Sequence, residues 1–354
     1  MIRLEDYDYA LPPDRIARHP AKQRDESRLL VVERATGQLH HCCFREIGGF
    51  LREGDLLVLN DSRVIPARLY ARRHPGGGRV EILLVREIEP LFWLALVRPG
   101  KKIQKGDRLV IAAGRFEAWV VGYGGKGERL VRFETEGSDW LELLERYGHT
   151  PLPPYILKAR KRVNEPPDDT AEDRQRYQTV YAAVPGSVAA PTAGFHFTEQ
   201  LMTELGQRGV EFARVTLHVG PGTFQPLTDE HFRSCQLHEE YYSLEAGEVE
   251  KINRAHSEDR RLIPVGTTSV RVLESACDSE GRFVARSDVT RLLISAGFQF
   301  RLADAMITNF HLPRSSLLLL VCAFAGRETV LRAYEEAIDH GYRFYSYGDA
   351  MMIV

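Results

Sequence analysis

The sequence predicts a mixed α/β protein with a small antiparallel β-barrel or sandwich inserted into it. Three observations predict this. Between about residues 60 and 140, short apolar runs rich in β-branched and aromatic residues recur between glycine turns, with no long helical pattern. Beyond the proline-rich stretch Pro151-Leu152-Pro153-Pro154, helical patterns alternate with short apolar strands, as in a parallel α/β layer. Four later segments combine hydroxyls, imidazoles and glycine turns, at least two of them after apolar β-branched runs. Open α/β folds place their ligands at such strand ends.

In chain order, Ser27 to Glu33 and Asp55 to Asn60 read as strands of the α/β layer. The inserted module follows, with strands at Val80–Val85, Phe92–Val97, Arg108–Ile111, Phe116–Val121 and Leu130–Phe133. Its turns include Gly76-Gly77-Gly78 and the run Gly122 to Gly127. The second is a hairpin turn rather than a phosphate loop, because Walker spacing is missing and a strand follows it. Helices are expected at Glu199 to Arg208 with Thr198 as N-cap, Gly247 to Ala255, Ser269 to Cys277, and Glu328 to His340 ending on Gly341. The last gathers Val330, Leu331, Tyr334, Ala337 and Ile338 on one face. Strands at Glu211–Val219, Arg261–Val265 and Arg291–Ser295 alternate with these helices and imply a largely parallel layer. The division that results is 1–60 with 150–354 as one discontinuous α/β domain, and 61–149 as the inserted β module.

Composition is that of an ordinary globular chain of 354 residues, 44% hydrophobic and 27% charged. The longest apolar run, Leu317 to Ala325, is less than half the roughly 20 residues a membrane span needs. The acidic start Met1 to Asp8 has no apolar signal region, and five cysteines without repeated spacing do not make a disulfide framework. A cytoplasmic protein is expected. With a net charge of −2, any nucleic-acid contact must come from local patches. Two qualify: Arg98-Pro99-Gly100-Lys101-Lys102 with Lys105 and Arg108, and Lys158-Ala159-Arg160-Lys161-Arg162.

The candidate chemistry lies in the four segments. His196, His218 and His311 each sit beside turn glycines or hydroxyls, where an imidazole can move protons near neutral pH; the competing reading is a core histidine satisfied by a carbonyl. Thr192 and Gly194 form a tight loop before Phe195 and His196. Gly220 and Gly222, with Thr223 and Phe224 after them, allow close backbone approach to a ligand. Gly266-Thr267-Thr268-Ser269 joins a strand to a helix, so its free N–H groups and hydroxyls suit an anion. Arg271 belongs to the same set, or pairs with Glu274 one turn on. Asp61, Arg63 and Arg68 stand where the module meets the layer, a usual place for pockets. Asn309 adjoins His311, and Phe195, Phe224, Phe310, Tyr345 and Tyr347 are candidate stacking surfaces for a base, against a core role for each. No histidine or cysteine spacing suggests a metal site, including His238-Glu239 and Cys42-Cys43.

Further segments extend the pattern: Pro20 to Leu30, Asn60 to Arg68, Gly148 to Ile156, Tyr177-Gln178-Thr179-Val180-Tyr181, and Tyr342 to Met351. Taken in order with Ala189 to Thr198, Thr216 to Phe224, Val265 to Arg271 and Thr308 to Pro313, they resemble the S-adenosylmethionine:tRNA ribosyltransferase-isomerase family of queuosine biosynthesis nearly end to end. The resemblance implies an α/β barrel-like main domain with an inserted β-barrel. It implies a transferase that moves the ribosyl part of S-adenosylmethionine to 7-aminomethyl-7-deazaguanine at the wobble position of tRNA with a G-U-N anticodon. Adenine and methionine leave, and epoxyqueuosine results. Such a reaction calls for a base at C5′ beside the sulfonium, an acid for adenine and a neutral amine. S-adenosylmethionine is then a co-substrate, with no tightly bound cofactor or metal, and a monomer is expected. Ala296, Pro221 and Phe195 depart from the family pattern without removing a candidate acid or base. A methyltransferase is the enzymatic rival, but the first sixty residues lack a G-x-G-x-G loop. The other rival is a non-catalytic RNA-binding module.

Overall fold

The computed structural model describes residues 3–354 except 126, 167, 225–226, 279 and 302–303, and leaves out the side chains of Phe224 and Asp229. The N-terminal part holds β1 (Arg28–Val32), β2 (Leu39–Cys43), β3 (Leu56–Asn60) and β4 (Ser62–Val64). Six strands follow: β5 (Arg68–His74), β6 (Arg79–Glu89), β7 (Phe92–Arg98), β8 (Arg108–Ile111), β9 (Phe116–Tyr123) and β10 (Glu128–Glu134). Next come α1 (Trp140–Tyr147), α2 (Pro154–Arg162), α3 (Ala171–Arg176), β11 (Val184–Ser187), α4 (Glu199–Gln207), β12 (Glu211–Leu217) and α5 (Asp229–Ser234). The chain continues through β13 (Gln236–Leu244), α6 (Ala246–Ser257), β14 (Leu262–Val265), α7 (Thr267–Ala276), β15 (Arg286–Leu292) and β16 (Met306–Asn309). It ends with α8 (Ser316–Ala325), α9 (Arg327–Asp339) and β17 (Ala350–Ile353).

β5 to β10 close into an antiparallel barrel in the order β10-β7-β6-β5-β8-β9. Alternation makes it: Val80, Ile82 and Leu84 point inward from β6, and Leu109 and Ile111 from β8. Ala71, Ala95 and Ala118 keep the interior narrow enough for a six-stranded ring to fill with side chains, and α1 adds Leu143 and Leu144 to the same core. All five predicted module strands are present. The strand at Arg68–His74 went unpredicted because Arg72 and Arg73 break its apolar signal.

The remaining sheet has nine strands in the order β15-β13-β12-β3-β14-β16-β17-β1-β2. Its centre is parallel, β12 to β3 to β14 to β16, but β13, β15, β17 and β2 each join antiparallel to a neighbour. The layer is therefore mixed rather than largely parallel. The predicted strand at Arg291–Ser295 is displaced too: the strand runs from Arg286 to Leu292. β3, with sequence LLVLN, is buried throughout because both its faces are covered. Leu57 and Leu59 pack on the side of α4, and Leu56 and Val58 on the side of α6 and α7. Farther along the sheet, α8 and α9 cover Leu30, Val32, Met306 and Met351. Among the described residues no helix is long and apolar enough to cross a membrane.

The basic run at Lys158–Arg162 is not a uniform surface patch. Arg160 points inward and makes a bidentate pair with Asp173, at 2.7 and 2.8 Å, and both side chains are nearly inaccessible. Burial alone would raise the Asp173 carboxyl. Hydrogen bonds from Arg160, the Thr170 N–H and the Tyr347 hydroxyl outweigh it and hold the group below its ordinary range. A depressed carboxylate stabilises the fold above the unfolded value of roughly 4, and this stabilisation is lost as pH falls through the folded value. Asp173→Ala should therefore destabilise the protein by about 3–5 kcal/mol in urea unfolding at pH 7, by leaving Arg160 buried and unpaired.

Candidate active site

The parallel strands β12, β3, β14 and β16 all end at one edge of the sheet. Asn60, the last residue of β3, ties that edge together: its Oδ1 accepts from the N–H groups of Ser62 and Leu217 at 3.1 Å, and its amide donates to the Leu217 carbonyl. Beyond the edge lies a pocket to which all four sequence segments contribute. Ala190 to Ala193, Val219 with Thr223, Gly266 to Thr268 with Arg271, and Thr308 to Leu312 line it, closed by Tyr155, Leu317, Tyr345 and Ser346. A backbone bridge between Ala189 and Val219 joins the first two segments.

One wall offers donors of the kind an anion accepts. Gly266, at φ +90°, turns the chain from β14 into α7, a conformation other residues rarely adopt. No side chain caps the helix, so the N–H groups of its first turn face outward from the helix start. Among the described residues the buried Thr268 hydroxyl has no hydrogen-bond partner. Arg271, 5% exposed, donates Nε to the Leu292 carbonyl at 3.2 Å and Nη1 to the Glu240 carboxylate. Its Nη2 has no hydrogen-bond partner among the described residues. Arg271 thus pairs with Glu240 and not, as one sequence reading had it, with Glu274, which accepts from the Arg301 N–H at 3.1 Å. Glu240 also holds the glycine turn, accepting from the Gly220 N–H at 3.1 Å and the Thr223 hydroxyl at 3.0 Å. Sequence reasoning missed Glu240, although a signal exists: it shares the buried phase of β13 with Tyr242 and Leu244, where a carboxylate must have a partner.

The opposite wall is a neutral polar network. His311 meets the Thr308 hydroxyl through Nε2 at 2.8 Å, and its backbone N–H donates to the Tyr334 hydroxyl at 3.0 Å. Asn309 donates to the Tyr345 carbonyl at 3.0 Å and lies 3.4 Å from His196 Nε2, whose other nitrogen meets the Ser27 hydroxyl at 2.6 Å. Burial lowers both His196 and His311 to about 3, so both imidazoles are neutral at physiological pH. Tyr345 adopts a left-handed φ of +74°, a strained geometry for a side chain of its size at the pocket wall. Tyr155 and Ser346, whose hydroxyls meet at 2.5 Å, were not foreseen as site residues.

The predicted residues do not all gather here. Of the three histidines only His311 lines this pocket. His196 lines a smaller cleft with Phe195, Tyr347, Arg24 and Arg176. His218 stacks on Tyr241 and faces a cavity between sheet and barrel, together with Gly220, Gly222 and Trp93. Its Nδ1 is buried without a hydrogen-bond partner among the described residues, and burial lowers its proton affinity. Arg68 lies in a second groove beside the barrel, donating to the Leu152 carbonyl at 3.1 Å. Asp61 accepts from the Thr216 hydroxyl at 2.7 Å in the buried interior, and Arg63 is exposed, 3.4 Å from Glu145. Ser269 bonds back to the Val265 carbonyl within its own helix start. Phe310 lies at the pocket wall but is fully buried, and the Phe224 side chain lies outside the described residues.

The family model for queuosine biosynthesis proteins matches residues 4–353. The chain belongs to that family. Over its full length it is 50% identical to the S-adenosylmethionine:tRNA ribosyltransferase-isomerase of Carboxydothermus hydrogenoformans and 46% to that of Moorella thermoacetica, covering all of each. It also resembles the crystal structure of S-adenosylmethionine tRNA ribosyltransferase from Thermotoga maritima. The TM-score is 0.54 and the identity 38%, with 99% of this chain and all of that one covered.

In this queuosine biosynthesis protein the Thr192–His196 turn depends on one glycine. A Cβ on Gly194 would stand 2.0 Å from the Tyr181 hydroxyl. Gly194→Ala should cost about 1–3 kcal/mol in thermal unfolding, as overpacking does, and displace Thr192 at the pocket.

Proposed function

We propose that this pocket is where the chain, an S-adenosylmethionine:tRNA ribosyltransferase-isomerase, holds S-adenosylmethionine as a ribosyl donor. The observation behind this reading is the arrangement of two groups without a hydrogen-bond partner among the described residues, Arg271 Nη2 and the Thr268 hydroxyl, at a helix start facing a neutral wall. The methionine carboxylate fits the first feature. The sulfonium fits the second, because a protonated imidazole beside it would repel it. In this reading His311 accepts the C5′ proton, with Thr308 and Asn309 orienting the ribose. His196 acts through Asn309 as a positioning residue.

The 7-deazaguanine of the tRNA enters from the neighbouring cavity between sheet and barrel, which shares Val219 with the donor pocket. There His218, Trp93 and Tyr241 offer ring faces and Gly220 and Gly222 allow close approach. The ribosyl group passes to its amine, and adenine and methionine leave. The exposed Lys101 and Lys102 and the outward members of the second basic run, Lys158, Lys161 and Arg162, serve the phosphates of a tRNA with a G-U-N anticodon. In this reading 61–149 is an inserted domain that contributes one wall of the RNA cavity. The enzyme works as a monomer in the cytoplasm without a metal in the reaction.

Incubation with S-adenosylmethionine and an anticodon stem-loop carrying 7-aminomethyl-7-deazaguanine tests the whole reading by mass. A ribosyl-sized gain with free adenine and methionine is expected; a methyl-sized gain with S-adenosylhomocysteine, or bound but unchanged RNA, contradicts it. Thr268→Val should raise KM for S-adenosylmethionine roughly 10- to 100-fold with little change in kcat, as loss of one hydrogen bond to a charged group does. His311→Ala should lower kcat by about 10²–10⁴. Because His311 is already neutral above about pH 3, the wild-type kcat profile should show no acid limb near 6.5.

A further inference from the structure

We propose that His41, Glu336 and His340 form a binding site for one divalent transition-metal ion of the zinc and nickel class, on the outer edge of the large sheet. His41 comes from β2, the strand that ends the sheet, and Glu336 and His340 lie one turn apart at the end of α9. One carboxylate oxygen stands between the two imidazoles: Glu336 Oε1 is 3.2 Å from His41 Nε2 and 3.1 Å from His340 Nδ1. The rings themselves are 4.5 Å apart. Each residue can offer one ligand atom with all three inside 4.8 Å of one another.

These separations suit a metal as well as a hydrogen bond, the ion displacing the His340 Nδ1 proton that now faces the Glu336 carbonyl at 3.0 Å and Oε1. Ligands on a tetrahedral ion at about 2.0–2.1 Å stand roughly 3.3 Å apart, so a small inward turn of each side chain would complete the site. The outer partners also fit. His41 Nδ1 lies 2.9 Å from the Tyr342 hydroxyl, which has the Leu29 carbonyl at 3.3 Å to receive its own proton. Tyr342 can therefore accept the His41 Nδ1 proton and leave Nε2 free for the ion, the usual arrangement around a metal-bound histidine. Two nitrogens and one carboxylate oxygen select zinc, nickel or copper; magnesium and calcium require more oxygen ligands. All three residues are partly exposed, which leaves a fourth position to water.

None of the three lines the donor pocket or the two cavities beside the barrel, so the ion has a structural role. It would staple the edge strand to α9.

The test is calorimetric titration of untagged, chelator-stripped full-length protein with zinc chloride, nickel chloride and, separately, magnesium chloride. One equivalent of zinc and of nickel should bind, and magnesium should not. His41→Ala and His340→Ala should each weaken binding by at least about tenfold, and Tyr342→Phe by about 10- to 100-fold. Metal-free melting of the three variants, compared with wild type, separates lost ligands from lost fold. Absence of binding, unchanged affinity in His41→Ala, or loss of binding in His231→Ala, whose ring faces His238 at 5.5 Å, would overturn the proposal.

Discussion

Four adjacent strands running in the same direction are the constraint on which the rest of the molecule depends. Because β12, β3, β14 and β16 are mutually parallel, their C-terminal ends reach one edge. Segments that lie almost a hundred residues apart in sequence, at Val219 and at His311, therefore become opposite sides of one pocket. The antiparallel flanks then bring in what the parallel centre lacks. β13 supplies Glu240 beside the glycine turn, and β17 returns the chain so that Tyr345 and Ser346 close the pocket.

Buried charge is handled by pairing or by removal. Arg271 with Glu240 and Arg160 with Asp173 are each buried pairs, and pairs of this kind add little net stability against well-packed apolar groups. Their effect is positional: Glu240 fixes both the glycine turn and the guanidinium, and Arg160 ties α2 to α3 and to the Arg18 carbonyl. The histidines are instead held neutral by burial, so the polar wall carries no fixed positive charge.

Much of this was legible in the sequence, and the reasons are local. The barrel strands announce themselves because alternation with period two survives in β6 to β10. The strand-to-helix turn at Gly266-Thr267-Thr268 could be read because a strand, a glycine and a helix start follow one another without interruption. What sequence could not show depends on partners distant along the chain. Gly194 looks like a loop glycine inviting a ligand, yet its missing Cβ makes room for Tyr181. Arg160 looks like one more surface cation until Asp173 is placed beside it. Helix α8 is apolar on nearly every side, so it carries no helical periodicity to read. The three histidines share a local signature and still end in three different cavities, because the residues around each come from distant parts of the chain.

A crystal structure of the protein with S-adenosylhomocysteine would test the central claim most directly. The ligand's carboxylate should lie within hydrogen-bond reach of Arg271 Nη2 and the Thr268 hydroxyl, with its ribose against Thr308 and His311. A ligand seated in the cavity between sheet and barrel, with the pocket at the strand ends empty, would contradict it.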